Sequence, residues 1–157
     1  HRDLHLSIRR QRQMCIRDRF YQENLQHPKL IALEGWKEGY SDSSQNVFTQ
    51  RIAKTLTAMT IVIADNGYVN FATNHPDYDE PEYEFYEFYD FDIGQPISES
   101  KKLRTGVQLK EHERGFVAYN ITGSEYSFAR KSQEIIVPKY SGLFCMEIDG
   151  LDCLSVE

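Results

Sequence analysis

The sequence predicts a protein of the α/β plus β class, in which one βαβ unit precedes a small antiparallel β-sandwich-like domain. Three features support this prediction: an apolar run without alternation, a helical spacing of apolar residues after it, and several short strand-like segments toward the C-terminus. The composition is globular, with 40% hydrophobic and 27% charged residues among 157. A chain of that length can bury one hydrophobic core.

The first predicted strand lies in the apolar run Lys29-Leu-Ile-Ala-Leu-Glu-Gly-Trp36, which ends in a polar residue and a glycine after Leu33. Continuous apolar runs are typical of strands that are buried on both faces, as in parallel sheets covered by helices. The serines and the aspartate at positions 41–44 are residue types that cap the start of a helix. A helix is therefore expected to follow this strand.

The predicted helix extends from Asn46 to Ala64. Its apolar spacing is helical at first and then becomes apolar nearly all round, which indicates a helix packed deeply in a large body. The helix is predicted to end at Asp65-Asn66-Gly67, because glycine readily adopts the left-handed conformation that often follows a helix. A short strand from Tyr68 to Phe71 completes a βαβ unit, whose crossover is almost always right-handed.

One βαβ unit cannot complete a sheet by itself. A lone parallel pair has open edges, and its apolar helix would be uncovered. We therefore expect the missing neighbours upstream, so that residues 20–100 are the end of a larger α/β body. The stretch from His75 to Ser100 within them is a loop rich in acidic and aromatic residues, without a lysine or arginine.

Residues 101–157 are predicted to form the C-terminal β-domain. Turn residues separate its strands, and this spacing favours an antiparallel sandwich-like module. The predicted strands are Gly106 to Lys110, Phe116 to Ile121, Tyr126 to Arg130, Glu134 to Val137 and Leu143 to Ile148.

The first 19 residues differ in charge from the rest. They hold six arginines and two aspartates, a balance of +4, so that the remainder of a chain with net charge −6 carries −10. A basic arm for nucleic acid or an anionic membrane, or a solvated helix end, would explain this. The run Ser7-Ile-Arg-Arg-Gln-Arg-Gln-Met-Cys-Ile-Arg-Asp-Arg19 instead resembles a translated sequencing-adapter peptide. We interpret residues 1–19 as non-native and expect neither a nucleic-acid nor a membrane partner.

The order of the remaining elements resembles the C-terminal part of glycoside-hydrolase-like (β/α)-barrel proteins. The matching segments are Leu33-Glu34-Gly35-Trp36, Asp65-Asn-Gly-Tyr68, Tyr89-Asp-Phe-Asp-Ile-Gly-Gln-Pro96, Gly106-Val107 and Glu113-Arg-Gly-Phe-Val-Ala-Tyr-Asn-Ile-Thr122. Ile121 departs from the family pattern, which has a proline there. The resemblance implies the terminal βαβ unit of a (β/α) barrel, joined to a β-domain.

The resemblance also implies a hydrolase that acts on a poly- or oligosaccharide, with the missing N-terminal barrel as part of the same protein. The fragment alone is then expected to be inactive, and no cofactor is expected. A noncatalytic carbohydrate-binding or structural β-module is the competing interpretation. A second carboxylate at an earlier strand end would favour the enzyme. The localisation stays open, with a secreted or periplasmic parent compatible with the resemblance.

Glu34 is the candidate catalytic residue. It is predicted just past the strand segment from Leu30 to Leu33, and barrel enzymes place catalytic groups at the C-terminal ends of strands. It could act as nucleophile, as acid or as acceptor for a sugar hydroxyl. The alternative is a rim glutamate paired with a local Lys or Arg. Glycoside hydrolysis generally needs two carboxyls, and the second would come from an earlier strand.

Trp36, Asn74 and Tyr78 are the candidate substrate-binding residues. The Trp36 ring could stack on a sugar or pack under a helix. The loop Asp77 to Asp92, which follows the last strand, could form a sugar subsite or pack between domains with rings inward and acids solvated. Its acids could bind calcium, but EF-hand spacing is absent, so no metal site is predicted. These acids are Asp77, Asp79, Glu80 and Glu82.

The cysteines and histidines give no catalytic pattern. Cys15, Cys145 and Cys153 show no metal spacing. A bridge between Cys145 and Cys153 is conceivable, but two free thiols are the favoured interpretation. The histidines at 27, 75 and 112 pair with no serine or cysteine in a known spacing, so a hydrolytic triad lacks support.

Overall fold

In a computed structural model of the protein, the described residues are 31–37, 47–64, 67–73, 85–148 and 150–154. They form a sheet-rich α+β structure with one α-helix. The elements are β1 (Ile31–Lys37), α1 (Val47–Ile63), β2 (Gly67–Thr73), a 3₁₀ turn (Glu87–Tyr89), β3 (Lys101–Arg104), β4 (Val107–His112), β5 (Gly115–Asn120), β6 (Tyr126–Arg130), β7 (Gln133–Val137), β8 (Ser141–Met146) and β9 (Asp152–Leu154).

Strands β1 and β2 pair in parallel, with α1 between them in the chain. Ile31 lies opposite Gly67, and Lys37 lies opposite Thr73. The predicted helix is confirmed to within one residue at each end. The predicted capping residues 41–44 and the stop at Asp65-Asn66 lie outside the described residues.

The predicted β-domain is an antiparallel sheet of five strands, in the order β3-β4-β5-β8-β9, accompanied by the hairpin β6–β7. All five strands predicted for this region are confirmed, each within two residues at either end. Two strands were not predicted. β3 has the sequence KKLR and is largely exposed, and β9 has only three residues, so neither carries an apolar pattern.

The five-stranded sheet is a middle layer with an apolar cluster on each face. Every residue of β5 is buried, and its alternate side chains serve opposite faces because side chains alternate along a strand. Phe116 and Ala118 pack toward the β6–β7 hairpin, whereas Val117 and Tyr119 pack toward α1. The hairpin cluster consists of Leu109, Phe116, Ala118, Ile135, Val137, Leu143 and Cys145. The helix cluster includes Ala53, Leu56, Ala58, Met59, Val62, Tyr86, Phe88, Ile93, Val117, Tyr119 and Phe144.

Helix α1 is buried on every side along its middle. Residues 53–60 are all buried, and eight consecutive positions exceed two helical turns and therefore face all directions around the axis. The helix contacts both β1 and β2 as well as β5 and β8. The expectation that this helix would be uncovered was therefore wrong. The five-stranded sheet, which was predicted to belong to the C-terminal β-domain, covers it. No helix in the described part of the chain is long and apolar enough to cross a membrane.

Asn120 fixes the connection that leads from β5 to β6. Its side chain is fully buried, and its Nδ2 donates to the carbonyls of Ser124 and Val137 at 2.9 and 3.1 Å. Its Oδ1 accepts from the backbone N–H and the hydroxyl of Thr122 at 2.9 and 2.7 Å. All the hydrogen-bonding capacity of this buried amide is thus used to hold the turn, as burial of a polar group requires.

Candidate functional site

Two of the candidate site residues, Glu34 and Trp36, belong to β1 of the parallel pair. In the register of the two strands, Glu34 is opposite Asn70 and Trp36 is opposite Ala72. The two strands end side by side at Lys37 and Thr73, as parallel strands of equal length must. Ligand sites in parallel α/β sheets form at this edge.

Glu34 occupies the fourth of the seven positions of β1 rather than a place past its end. The predicted strand end after Leu33 was therefore wrong. Glycine and a polar residue suggested a break, but the parallel ladder with β2 continues through Gly35 and Trp36 to Lys37. The catalytic role assigned to Glu34 stays a prediction.

Trp36 lies one residue before the end of β1, and is therefore nearer the carboxyl edge than Glu34. Asn74 follows the last residue of β2 directly in sequence. Asn74 and Tyr78 lie outside the described residues. The same holds for the four acids considered as calcium ligands, Asp77, Asp79, Glu80 and Glu82.

The described end of the aromatic-acidic stretch packs against α1 and the sheet. The rings of Tyr86 and Phe88 are buried and stacked with centroids 5.2 Å apart, and Phe88 also stacks on Phe144 at 5.8 Å. The acidic residues Glu87, Asp90 and Asp92 are exposed. The interpretation of rings inward and acids solvated is confirmed for residues 85–93, with Phe85, 67% exposed, as the exception.

An ion-pair network links the hairpin to the sheet. Arg130 on β6 binds both carboxylate oxygens of Glu111 at 2.7 Å, and its Nε donates to Glu147. Lys131 binds the other oxygen of Glu147 at 2.7 Å, and the Arg130 guanidinium lies 4.5 Å above the Phe116 ring. The hydrogen bond from Arg130 is the main cause that lowers the pKa of Glu147. With its carboxylate held ionised, Glu147 is suited to fixing the hairpin and not to donating a proton.

His112 and Lys110 lie on the opposite face of β4 from Glu111. The Lys110 ammonium donates to the carbonyl of Ala64, just past the end of α1, at 3.1 Å. The His112 ring is 7% exposed; its Nδ1 contacts the Gly94 carbonyl at 3.0 Å, and its buried Nε2 has no hydrogen-bond partner. Desolvation is the main cause that lowers the pKa of His112, and the charge of Lys110 adds to it. A buried, neutral imidazole is therefore expected at pH 7.

Lys54 is a second buried lysine. It lies in the middle of α1 and is 1% exposed, and its ammonium group donates to the carbonyl of Leu154 on β9. Burial lowers the pKa of Lys54 to about 8. Sequence analysis did not select this lysine. The only sign of its burial in the sequence is that most of its neighbours in the helix are apolar or small residues.

Cys145 and Cys153 form a disulfide, so the interpretation as two free thiols was wrong. The two residues are directly opposite each other on the antiparallel strands β8 and β9, with their Cα atoms 4.1 Å apart. Opposed positions in an antiparallel pair bring Cα atoms this close. The sequence signal is the separation of eight residues with the turn-forming pair Asp-Gly between the two cysteines, which fits a hairpin.

Among the described residues, no group of three or more His, Cys, Asp and Glu residues could hold a metal ion. No protein-family model, no curated protein sequence and no solved structure matches this chain.

Proposed function

We propose that this chain is the closing part of a (β/α) barrel that hydrolyses glycosidic bonds in a poly- or oligosaccharide. The observation that carries the proposal is the parallel pairing of β1 and β2 on either side of α1 in sequence. This pairing brings the strand with Glu34 and Trp36 beside the strand that leads into Asn74. In a barrel these strands would line the substrate site at their carboxyl ends.

Glu34 supplies one of the two carboxyls that the reaction needs. It serves as nucleophile, proton donor or acceptor for a sugar hydroxyl, and its partner carboxylate comes from a strand that precedes Phe20. Trp36, closer to the carboxyl edge, stacks on a sugar ring, and Asn74 and Tyr78 contact the substrate from the segment after β2.

The burial of α1 supports this assignment. A helix on the outside of a barrel is covered by its own strands on one side only. Here residues 53–60 are buried all round, and the five-stranded sheet contacts the helix through β5 and β8. An accessory β-module packed on a barrel helix would produce this pattern of burial.

A structural β-module without catalysis is the second candidate. The Arg130 network favours it, since Glu111 and Glu147 are both engaged in holding the hairpin. Sugar binding by the outer face of the hairpin has less support. Its outward residues carry no aromatic ring; they are Ser127, Ala129, Glu134 and Ile136.

The test uses the full gene product, including the sequence upstream of Phe20, and a panel of polysaccharides. Glu34→Gln keeps the shape of the side chain and removes its charge, so kcat should fall by about 10²-fold or more with a smaller change in KM. The matched control is Glu134→Gln at an exposed position of β7, which should leave both constants unchanged. A protein that cleaves no glycosidic bond, or a Glu34→Gln variant with unaltered kinetics, would contradict the proposal.

A further inference from the structure

Strand β9 is a short edge strand that a covalent bond attaches to the sheet. Among the described strands its three residues pair with β8 alone, at the edge of the five-stranded sheet. The disulfide joins Cys153 of β9 to Cys145 of β8. Cys145 is fully buried, whereas Cys153 is half-buried. A reagent from solvent can therefore approach the sulfur of Cys153 and not that of Cys145. A three-residue edge strand has few hydrogen bonds to retain it by itself.

The same strand closes over the amine of Lys54. The ammonium group donates to the backbone carbonyl of Leu154, the last residue of β9. The helix backbone at Lys54 lies against β8 so closely that a methyl group at Gly142 would be 2.4 Å from the Lys54 carbonyl oxygen. The backbone of Lys54 thus lies against β8, and its ammonium group bonds to β9.

Removal of β9 would change the environment of this amine. Leu154 supplies its hydrogen-bond acceptor, and a buried ammonium group without an acceptor is strongly disfavoured. β9 is an edge strand, and no described strand lies beyond it, so its departure would uncover the amine.

We propose that the Cys145–Cys153 disulfide is a redox latch that keeps β9 closed over Lys54, and that a dithiol reductant opens it to expose the amine. A thiolate of the reductant attacks Sγ of Cys153, the S–S bond breaks, and its electron pair leaves on Sγ of Cys145, which takes up a proton. The second thiol of the reductant then displaces Cys153 as a thiol. The protein gains two electrons and two protons, and the dithiol becomes a disulfide.

The experiment measures acetylation of individual lysines by a pulse of acetic anhydride, read by peptide mass spectrometry. Oxidised chain is compared with chain reduced by dithiothreitol and with the variant Cys153→Ser, which needs no reductant. Lys110 is the matched buried control, at 2% exposure against 1% for Lys54, and it contacts the end of α1 instead of β9. Lys101, exposed on the opposite edge strand β3, reports the reagent dose.

Local opening should raise the acetylation rate of Lys54 by about tenfold or more after reduction and in Cys153→Ser, with Lys110 and Lys101 unchanged. Three results would overturn the proposal. Lys54 could be equally reactive in the oxidised chain, it could stay unreactive after reduction, or Lys54 and Lys110 could rise together. The last result would mean that the whole fold opens and that β9 is not a separate latch.

Discussion

At the scale of single residues, the buried cations of this protein are directed at backbone carbonyls that end an element. Lys110 donates to Ala64 after α1, and Lys54 donates to Leu154 at the end of β9. A carbonyl at the C-terminal end of a helix has no partner within the helix and carries partial negative charge, so a cation there is stabilising. Both lysines thereby join the helix to the sheet. In the sequence only the apolar and small neighbours of Lys54 mark its burial, and nothing marks that of Lys110, so neither lysine was predicted to be buried.

His112 should make stability depend on pH in the weakly acidic range. Burial lowers the pKa of His112 below 6.5, the ordinary value that applies in the unfolded chain. As the pH falls, the unfolded chain therefore binds the proton at a higher pH than the folded protein. The stability that is present above pH 6.5 is lost as the pH falls below 6.5. The loss cannot exceed about 1.4 kcal/mol per pH unit for one proton. His112→Asn keeps a donor for the Gly94 carbonyl and removes the titration.

Urea unfolding of both proteins between about pH 7 and pH 5 measures this effect, since that window contains the ordinary histidine pKa. The loss should be smaller in His112→Asn than in wild type. Glu147 provides the internal comparison. The lowered pKa of Glu147 stabilises the fold above pH 4.5, and this stabilisation is lost only below pH 4.5. The pH range in which Glu147 acts is therefore separate from that of His112. An equal loss in both proteins between pH 6.5 and pH 5 would contradict the assignment to His112.

At the scale of helices and strands, the elements that could be predicted are those whose sequences carry a pattern of apolar residues. Strands β4 to β8 and helix α1 bury periodic or continuous apolar residues, and sequence analysis found them all. The turn at Lys131-Ser132 was not recognised, because it has positive φ at both residues (46° and 65°) without the glycine or asparagine that usually marks such turns. The strand predicted to begin at Leu143 begins at Ser141 instead, because the chain already turns at Lys139 and Tyr140.

The contact of α1 with β8 depends on the absence of a side chain at Gly142. A Cβ atom there would lie 2.4 Å from the Lys54 carbonyl oxygen and 2.6 Å from Ala58 Cβ. Gly142→Ala should therefore separate the helix from the sheet and lower the free energy of unfolding by about 1–3 kcal/mol, the usual cost of overpacking.

The matched control is Gly123→Ala. Its nearest contact is the hydroxyl of Tyr140 at 2.9 Å, the far end of a side chain that can move, so a smaller loss is expected. Chemical denaturation of both variants measures the difference. Equal stability of Gly142→Ala and wild type would show that α1 and β8 do not approach as described.

At the scale of the whole molecule, α1 joins the parallel pair to the β-rich part. The sequence indicated a helix that is apolar nearly all round, and this was interpreted as a need for missing neighbours. The missing neighbour on one side is the five-stranded sheet of the same chain. Sequence pattern cannot reveal such a partner, because periodicity reports that a face is buried and not what buries it. The barrel assignment and the role of Glu34 rest on resemblance and stay predictions.

Native-state hydrogen exchange measures whether α1 and the five-stranded sheet form one cooperative unit. Amides in residues 53–60 of α1 should exchange with the same free energy of opening as those in β5 and β8, because all belong to one buried cluster. Gly142→Ala should lower the protection of helix and sheet together. If α1 exchanged rapidly while β5 and β8 stayed protected, the helix would not be part of this core and the account would be contradicted.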